Sequence, residues 1–238
     1  MNSPCISSDE ASGGRVIRGS LLVRSGADYM TRTRSTVGDR RTWTWSAWIN
    51  REQVDDKQSL MFAEQDNNNQ TSFGLNHDSA TPVSGLYFRH EISSSVVNVD
   101  PVNSIRDFSG FYHLMYVLDT THGTTASRVR IYMNGEELTM TTSTNLTQNA
   151  QLDINDNVQQ QLFAQDGSGD FDGWITELHF VDGQALEPSY FGYTDPLTNT
   201  WRPKKFIGNY AIDTDGYGLR WSNYWGGTAG GEYTFTDG

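Results

Sequence analysis

The chain has 238 residues, 36% of them hydrophobic and 12% aromatic, with 23 glycines and one cysteine. Its 17 basic and 29 acidic residues give a net charge of −12, which argues against nucleic acid and membrane surfaces as partners unless a local basic patch exists. The single Cys5 excludes an intramolecular disulfide, and no apolar run approaches the ~20 residues that cross a bilayer.

The first fourteen residues, MNSPCISSDEASGG, are small and polar, which predicts an arm that is flexible or ordered only by a partner. They contain neither the charged nor the apolar region of a signal peptide. Residues 1–41 carry seven arginines and four acids, a charge of +3, so the other residues carry −15. This asymmetry has two interpretations: charged strand edges in solvent, or a basic end that docks on an acidic partner.

Alternation of apolar and polar residues predicts β-strands along most of the chain. The stretch WTWSAWI has one apolar face, made of Trp43, Trp45, Ala47 and Ile49. Trp48 falls on the opposite, otherwise polar face, so we expect both faces of this strand to be partly covered. The run FYHLMYVLDT at 111–120 is typical of a central strand, and RVRIYMNGEEL at 128–138 predicts a hairpin with Asn134-Gly135 at its turn.

The stretch GWITELHFVDG predicts a further strand at residues 173–183. Strict alternation would give this strand two faces: Trp174, Thr176, Leu178 and Phe180, and Ile175, Glu177, His179 and Val181. Helical periodicity is nearly absent, and only one short turn, beginning at Pro188, is expected. The predicted fold class is all-β, an antiparallel two-sheet jelly-roll sandwich.

From residue 193 the sequence is rich in Gly, Tyr and Trp and alternates little, and no linker separates it from the preceding strands. We therefore expect one domain in three parts: a flexible arm at 1–14, a sandwich at 15–192, and an extension at 193–238 that wraps the same sandwich. Aromatic residues would anchor the extension, because each buries roughly 150–250 Å².

Four stretches of the sequence form an ordered set: TWTWSAWINR, GFYHLMYVLDTT, RVRIYMNGEEL and FDGWITELHFVDGQALEPSYFG. Together they resemble laminin-G-like, concanavalin A-like jelly rolls. The chain further resembles a subgroup of these domains that is found in tailed bacteriophages, many of them marine. The motifs that carry this resemblance are Thr194-Asp195, Trp201-Arg202-Pro203-Lys204-Lys205, Gly208-Asn209-Tyr210 and Gly216-Tyr217. The resemblance covers residues 20–222. The first fourteen residues depart from the subgroup, which suggests a docking end particular to this chain.

The resemblance implies a virion protein with a lectin-like fold, made in the host cytoplasm. It implies no particular ligand, because this fold carries sugar binders, protein adhesins and hydrolases alike. We expect a non-enzymatic structural protein that decorates the capsid, with the major capsid or tail protein as partner and host glycans as a second ligand class. The alternative is a tail-fibre or tail-tip adhesin for host glycans, and a glycoside hydrolase is a distant third. In either virion placement we expect a homo-oligomer, a trimer.

The stretch DGSGDFDG begins like a calcium loop, with Asp166, Asp170 and Asp172 at alternate positions. Phe171 stands where a helix-loop-helix calcium loop needs glycine, and a strand follows, so that motif is excluded. A looser calcium site on the rim of the sandwich remains, and the alternative is a polar turn at the end of a hairpin. The same two alternatives hold for a second cluster: Asp153, Asn155, Asp156 and Asn157.

A third pattern in the same region concerns catalysis. Glu177, His179 and Asp182 are spaced almost like the acids of laminarinase-type glycoside hydrolases, which share this fold class. Retaining hydrolysis needs two carboxyl groups ~5–5.5 Å apart. Here His179 replaces the central acid, and strict alternation would turn Asp182 to the other face of the strand. We therefore expect no catalytic residues.

Sugar recognition combines aromatic platforms, on which apolar sugar faces stack, with amides and carboxylates. Trp48 is a candidate platform on the polar face of its strand. A polar loop between two predicted strands supplies further candidates: Asp66, Asn67, Asn68 and Asn69. Tyr224 and Trp225 in the extension are also candidates. For all of these residues the alternative is packing within the core or the extension.

Overall fold

The fold is described from a computed structural model, which covers residues 14–17, 19–24, 26, 28–53, 56–76, 85–93, 95–102, 105–140, 146–165, 169–208, 219–221 and 234–236. These residues form two large antiparallel sheets, packed face to face as a sandwich, and one small sheet. This architecture confirms the all-β, jelly-roll prediction. Within the described ranges no helix is long and apolar enough to cross a membrane.

Strands are numbered in chain order. The first sheet has the order β1-β12-β3-β8-β9-β10, with β15 also paired to β12. Its strands are β1 (Leu21–Val23), β3 (Thr42–Arg51), β8 (Tyr112–Asp119), β9 (Val129–Met133), β10 (Glu136–Glu137), β12 (Gly173–Asp182) and β15 (Leu219–Trp221).

The second sheet has the order β16-β2-β11-β4-β5-β6-β7. Its strands are β2 (Tyr29–Thr33), β4 (Gln58–Asp66), β5 (Asn69–Leu75), β6 (Leu86–Ile92), β7 (Ser95–Val99), β11 (Gln159–Leu162) and β16 (Thr234–Thr236). The small sheet pairs β13 (Gly192–Thr194) with β14 (Trp201–Pro203), and two short 3-10 turns occupy Thr125–Ser127 and Pro188–Tyr190.

Large aromatic side chains fill the space between the two sheets. Trp45 of β3 is fully buried and meets the ring of Phe73 edge-on, with the ring centroids 5.4 Å apart. Phe73 stacks on Tyr116 at 4.3 Å, and the Tyr116 hydroxyl donates a hydrogen bond to the Gly74 carbonyl. Because Tyr116 and Phe73 belong to opposite sheets, these contacts join the two layers. Aromatic pairs of this kind add about 0.5–1.5 kcal/mol each beyond the burial of their area.

Local predictions for β3 and the β9–β10 hairpin are confirmed. The inner face of β3 lies in the core and carries the predicted set: Trp43, Trp45, Ala47 and Ile49. Trp48 lies on the outer face and is also largely buried, as expected for a strand covered on both sides. The hairpin turns at Asn134 and Gly135, whose φ angles of 52° and 86° match a turn with both central residues left-handed.

Strict alternation in β12 is wrong, because a β-bulge interrupts the strand. The register with β3 shifts between Thr176 and His179, and Glu177 adopts a φ of 47°. A bulge of this kind puts two residues opposite one and turns successive side chains to the same side. Ile175 and Leu178 consequently both face the core, whereas alternation assigned them to opposite faces.

A third layer covers the outer face of the first sheet. Residues 184–208 cross this face, and Phe191 stacks on Phe206 above it with a centroid distance of 5.1 Å. The N-terminal segment joins this layer, since Gly14 forms a β-bridge with Lys204. The outer face of the first sheet is therefore an interior surface, whereas the outer face of the second sheet carries polar side chains.

Candidate functional site

The predicted polar loop at Asp66–Asn69 is a tight turn between β4 and β5. The Asp66 carboxylate accepts hydrogen bonds from the Asn68 backbone N–H at 2.8 Å and from the Asn69 side chain at 2.9 Å. Both bonds lower the pKa of Asp66, and the bond from Asn68 has the larger effect. The Asn69 side-chain oxygen accepts from the Ser93 backbone N–H, which ties this turn to the next hairpin. Asn67 is exposed at the tip.

Next to this turn, the outer face of the second sheet carries two rows of side chains that run across the strands. The register places Glu64, Gln70, Glu91 and Val96 opposite one another in the first row. The second row contains Gln161, Phe62, Ser72, Arg89 and Asn98. Residues on one face of neighbouring strands lie within contact distance. Phe62, Ser72 and Gln161 are buried, so the accessible part of this surface is the first row together with Arg89 and Asn98. We call this surface the polar face.

Side chains of the polar face hold one another in place. Gln70 donates a hydrogen bond to Glu91 at 3.1 Å, and Arg89 donates to the same carboxylate oxygen at 2.7 Å. Gln165 donates to the Gln70 side-chain oxygen at 3.2 Å. The Arg89–Glu91 contact is a charge-assisted bond, which is stronger than one between neutral groups. The face thus offers amides, a carboxylate and a guanidinium whose orientations are set before any ligand arrives.

Tyr87 lies on the same side of β6 but is buried, at 1% exposed, and so supports the polar face from beneath. Burial raises the pKa of this phenol to about 12, although the nearby hydroxyls of Ser59 and Ser72 partly offset the shift. The Lys57 ammonium lies 5.9 Å from the centroid of the Tyr87 ring. Tyr87 therefore keeps its proton throughout the neutral pH range.

Trp48 lies on the opposite side of the molecule from the polar face. Its ring is 8% exposed and packs against the His113 ring at a centroid distance of 5.3 Å. His113 binds the Ser46 hydroxyl through Nε2 at 2.8 Å, and its Nδ1 accepts a hydrogen bond from the Trp201 indole at 3.1 Å. Little of the Trp48 ring is available to stack on a sugar, and the structure does not bring it near Asp66–Asn69.

The candidate metal ligands are only partly described. Asp170 uses its carboxylate to accept a hydrogen bond from the Gly26 backbone N–H at 2.9 Å, and the carbonyl of Asp172 accepts from the Glu52 backbone N–H. Asp166 lies outside the described residues, as do Tyr224 and Trp225. Among the residues that are described, no group of three or more His, Cys, Asp or Glu side chains is arranged to hold a metal ion.

Three members of the second acidic cluster, Asp153, Asn155 and Asp156, are buried in the sandwich, where the two acids form ion pairs, whereas Asn157 is exposed. Arg40 contacts the Asp156 carboxylate at 2.8 Å and approaches Asp153 at 4.0 Å. Asp153 also accepts from the Thr71 hydroxyl at 2.9 Å. Burial raises the pKa of Asp153, while Thr71 and Arg40 act against the rise. Because Arg40 precedes β3 and Thr71 belongs to β5, this cluster links the two sheets at one end.

Glu177 and His179 share the outer face of β12, whereas Asp182 points elsewhere. The Arg15 guanidinium binds Glu177 at 2.5 Å, and His179 Nε2 lies 3.7 Å from the same carboxylate. Burial opposes ionisation of Glu177, but the hydrogen bonds from His179 and Arg15 outweigh it and lower its pKa. Asp182 accepts from Asn155 at 2.6 Å and lies 3.6 Å from Arg34. The three residues do not form a pair of facing carboxylates.

The sequence matches a known protein family over most of its length. The model of the Laminin_G_3 family, described as the concanavalin A-like lectin/glucanases superfamily, matches residues 24–189. The chain belongs to this superfamily. A comparison with curated protein sequences finds no match.

Solved structures with the same superfamily fold include two carbohydrate-associated domains. Domain 4 of AbnA, a GH43 extracellular arabinanase from Geobacillus stearothermophilus solved with arabinotriose, is 19% identical, covers 71% of this chain and 73% of its own, and has a TM-score of 0.50. The CBM40 of the Ruminococcus gnavus IT-sialidase is 14% identical, covers 74% and 96%, and has a TM-score of 0.51.

A tailspike protein of Escherichia coli O157:H7 bacteriophage CAB120 is 12% identical, covers 73% of this chain and 25% of its own, and has a TM-score of 0.46. At 19% and 14% identity, the likenesses to the arabinanase domain and to the CBM40 establish the lectin-like fold alone. The assignment of ligand and biological role therefore depends on the residues of this superfamily member.

Sequence reasoning found the Asp66–Asn69 turn of this lectin-like domain but missed the residues beside it. Gln70, Arg89 and Glu91 gave no motif, because they come from two strands and meet only through their register. One signal was available in GLYFRHEI, where alternation puts Tyr87, Arg89 and Glu91 on one face. Neighbouring strands could not be aligned with it from one sequence.

Proposed function

We propose that this protein is a non-enzymatic, glycan-binding structural component of a phage particle, and that the polar face is its glycan-binding surface. The observation that carries the proposal is the group formed by Gln70, Arg89, Glu91 and Gln165, whose side chains are oriented by mutual hydrogen bonds. Sugar hydroxyls both donate and accept hydrogen bonds, so a surface that mixes amides, a carboxylate and a guanidinium matches them.

The proposed site needs little ordering on binding. Side chains that are free in solution lose about 0.5–1.5 kcal/mol each when a ligand immobilises them. On the polar face Arg89 and Glu91 already hold each other at 2.7 Å, and both are on a strand paired on both sides. The exposed Asn67 and Asn68 at the adjoining turn extend the surface.

Binding without cleavage is supported by the state of Glu177. This carboxylate is 4% exposed and engaged by Arg15 and His179. Glycoside hydrolysis by retention requires a second carboxyl group ~5–5.5 Å away and access for the substrate. The groups recorded around Glu177 among the described residues are a guanidinium and an imidazole, which supports a structural role for it.

The virion placement is supported by the sequence resemblance to domains of tailed bacteriophages. Within it, we propose a trimeric decoration bound to the capsid, and a tail-fibre or tail-tip adhesin is the second candidate. Quantitative mass spectrometry of purified particles distinguishes the two. A copy number comparable to that of the shell protein supports a decoration, and a few copies per particle support an adhesin. Absence from the particles would contradict both.

A glycan array tests the binding proposal directly. The full chain should bind a defined subset of glycans and leave them uncleaved, as judged by chromatography of the same glycans after prolonged incubation. Binding to none of a broad set would contradict the glycan proposal. Release of shorter sugars would show an enzyme, and loss of that release in Glu177→Gln would assign the activity to the site considered above.

A further inference from the structure

The third layer presents an outward surface with an unusual composition. Arg15 donates its backbone N–H to the Pro203 carbonyl beside the Gly14–Lys204 bridge, and this register places Val16 beside Arg202. Tyr193 lies opposite Arg202 on the other side. Trp201 faces the interior, where its ring packs on His113, so alternation turns Arg202 outward.

Apolar side chains project from this surface. Leu197 is 94% exposed at the tip of the β13–β14 turn, and Val16 and Ile207 are 56% and 78% exposed. A single exposed leucine is ordinary, but this one stands on a turn that is held rigidly. Asp195 accepts from the Leu197 backbone N–H at 2.9 Å and from the Arg202 side chain at 2.8 Å. The turn therefore presents Leu197 without a large cost in conformational entropy.

The segment that forms most of this surface carries a small net positive charge in an acidic protein. Residues 187–208 contain three basic residues and two acids, which gives this segment a net charge of +1. Because the whole chain has a net charge of −12, the remaining residues together carry −13. Both acids are paired, Asp195 with Arg202 and Glu187 with Arg130. The Lys204 ammonium donates a hydrogen bond to the Ser189 carbonyl. We call this surface, with Val16, Tyr193, Leu197, Arg202, Lys204 and Ile207, the cationic face.

We propose that the cationic face binds a second copy of this chain, on a different and acidic part of its surface. Charge complementarity is the reason, because the remainder of every copy carries −13 while this face is positive. Two cationic faces packed on each other would set lysines against lysines. The contact is therefore heterologous, and a heterologous contact that closes produces a ring, such as a trimer.

Assembly through the cationic face does not depend on glycan binding. The cationic face is the surface through which the proposed oligomer assembles. The polar face belongs to the outer side of the second sheet, and the cationic face lies over the outer side of the first. The cationic face therefore does not overlap the polar face.

Sedimentation velocity of the full chain, from micromolar to several hundred micromolar at low salt, tests the proposal. The weight-average mass should rise above the monomer with concentration. It should fall again in ~0.5 M NaCl, because salt shortens the Debye length below ~8 Å and screens the charge attraction. A monomer at every concentration would overturn the proposal.

Two variants with the same charge change locate the contact. Leu197→Asp should weaken association by about ten-fold or more, since a buried leucine side chain contributes about 1.5–3 kcal/mol. Val102→Asp replaces a residue that is 61% exposed outside the cationic face, and it should associate like the wild type. Equal association of the two variants would exclude Leu197 from the contact and contradict the proposal. Both sites are exposed, and circular dichroism checks that each variant folds.

Discussion

His113 and His90 are buried histidines whose protonation opposes folding. Burial lowers the pKa of His113 to about 3, with His179 adding to the effect, and burial lowers that of His90 to about 4. In the unfolded chain both would titrate near pH 6.5. Because His113 Nδ1 accepts from the Trp201 indole, a proton there would remove an acceptor as well as add a buried charge.

We therefore expect the two histidines to leave the free energy of unfolding undiminished above pH ~6.5. The free energy of unfolding should then fall as the pH decreases from ~6.5 towards ~4. Below the unfolded pKa the unfolded chain binds more protons, and each histidine then costs up to about 1.4 kcal/mol per pH unit. Urea unfolding measured across this range checks the slope. His90→Gln should reduce the slope, while His122→Gln at an exposed position should not. Equal slopes in all three proteins would contradict this origin of the pH dependence.

Glu91 is the residue on which the polar face depends most. It accepts from both Gln70 and Arg89, so replacing it removes the charge that orients two neighbours. Glu91→Gln should lower affinity for the best glycan on the array about ten-fold or more, because hydrogen bonds to charged groups contribute about 1.5–3 kcal/mol. Isothermal titration calorimetry measures the loss.

The matched control for this change is Glu137→Gln. Glu137 is an exposed carboxylate on β10, in the other sheet, and the substitution alters the net charge equally. If both variants lost the same affinity, the effect would come from overall charge and the polar face would not be the binding site.

At the scale of single elements, the bulge in β12 is a device for attaching the N-terminal segment. It turns Glu177 to the outer face at the energetic cost of a left-handed backbone, which is about 1–3 kcal/mol for a residue other than glycine. There Glu177 meets Arg15, which the bridge at Gly14 brings over the first sheet. Strain in the strand is thus offset by a partly buried ion pair.

Arg15→Ala should destabilise the protein by about 1–3 kcal/mol, because it leaves the buried Glu177 carboxylate with one hydrogen-bond partner fewer. The double variant Arg15→Ala/Glu177→Gln should lose less than the sum of the two single changes, since the pair is coupled. Urea denaturation of the four proteins gives the coupling energy. Strict additivity would show that the two side chains do not interact in solution.

The sequence predicted individual strands and turns better than it predicted how the strands are paired. Alternation with large aromatic residues predicted β3, β8 and the β9–β10 hairpin, because burial on one face imposes a period of two. It failed in β12, where one inserted residue changed the face of every later side chain. A bulge leaves no mark in a single sequence unless glycine occupies it, and here the left-handed residue is Glu177. The polar face was missed for a related reason, since register between strands depends on tertiary packing.

At the scale of the whole molecule, the two outer faces of the sandwich have separate tasks under our proposals. One is polar and preorganised for sugars, and the other is covered by a third layer that binds the next copy. An oligomer built in this way presents several glycan sites at once. Several linked sites bind a surface far more tightly than one, by about 10²–10⁴-fold when their spacing allows simultaneous engagement.

If assembly and glycan recognition use different faces, one substitution should impair assembly and leave recognition intact. Leu197→Asp should leave the affinity for a single soluble glycan unchanged, because Leu197 lies on the third layer, far from Gln70 and Glu91. Its retention on a surface coated densely with the same glycan should fall by about 10²-fold, since only monomers would then bind. Surface plasmon resonance at low and high glycan density measures both quantities, with Val102→Asp as the control. A loss of affinity for the soluble glycan would show that the two faces are not independent, whereas unchanged retention would show that the cationic face does not assemble the protein.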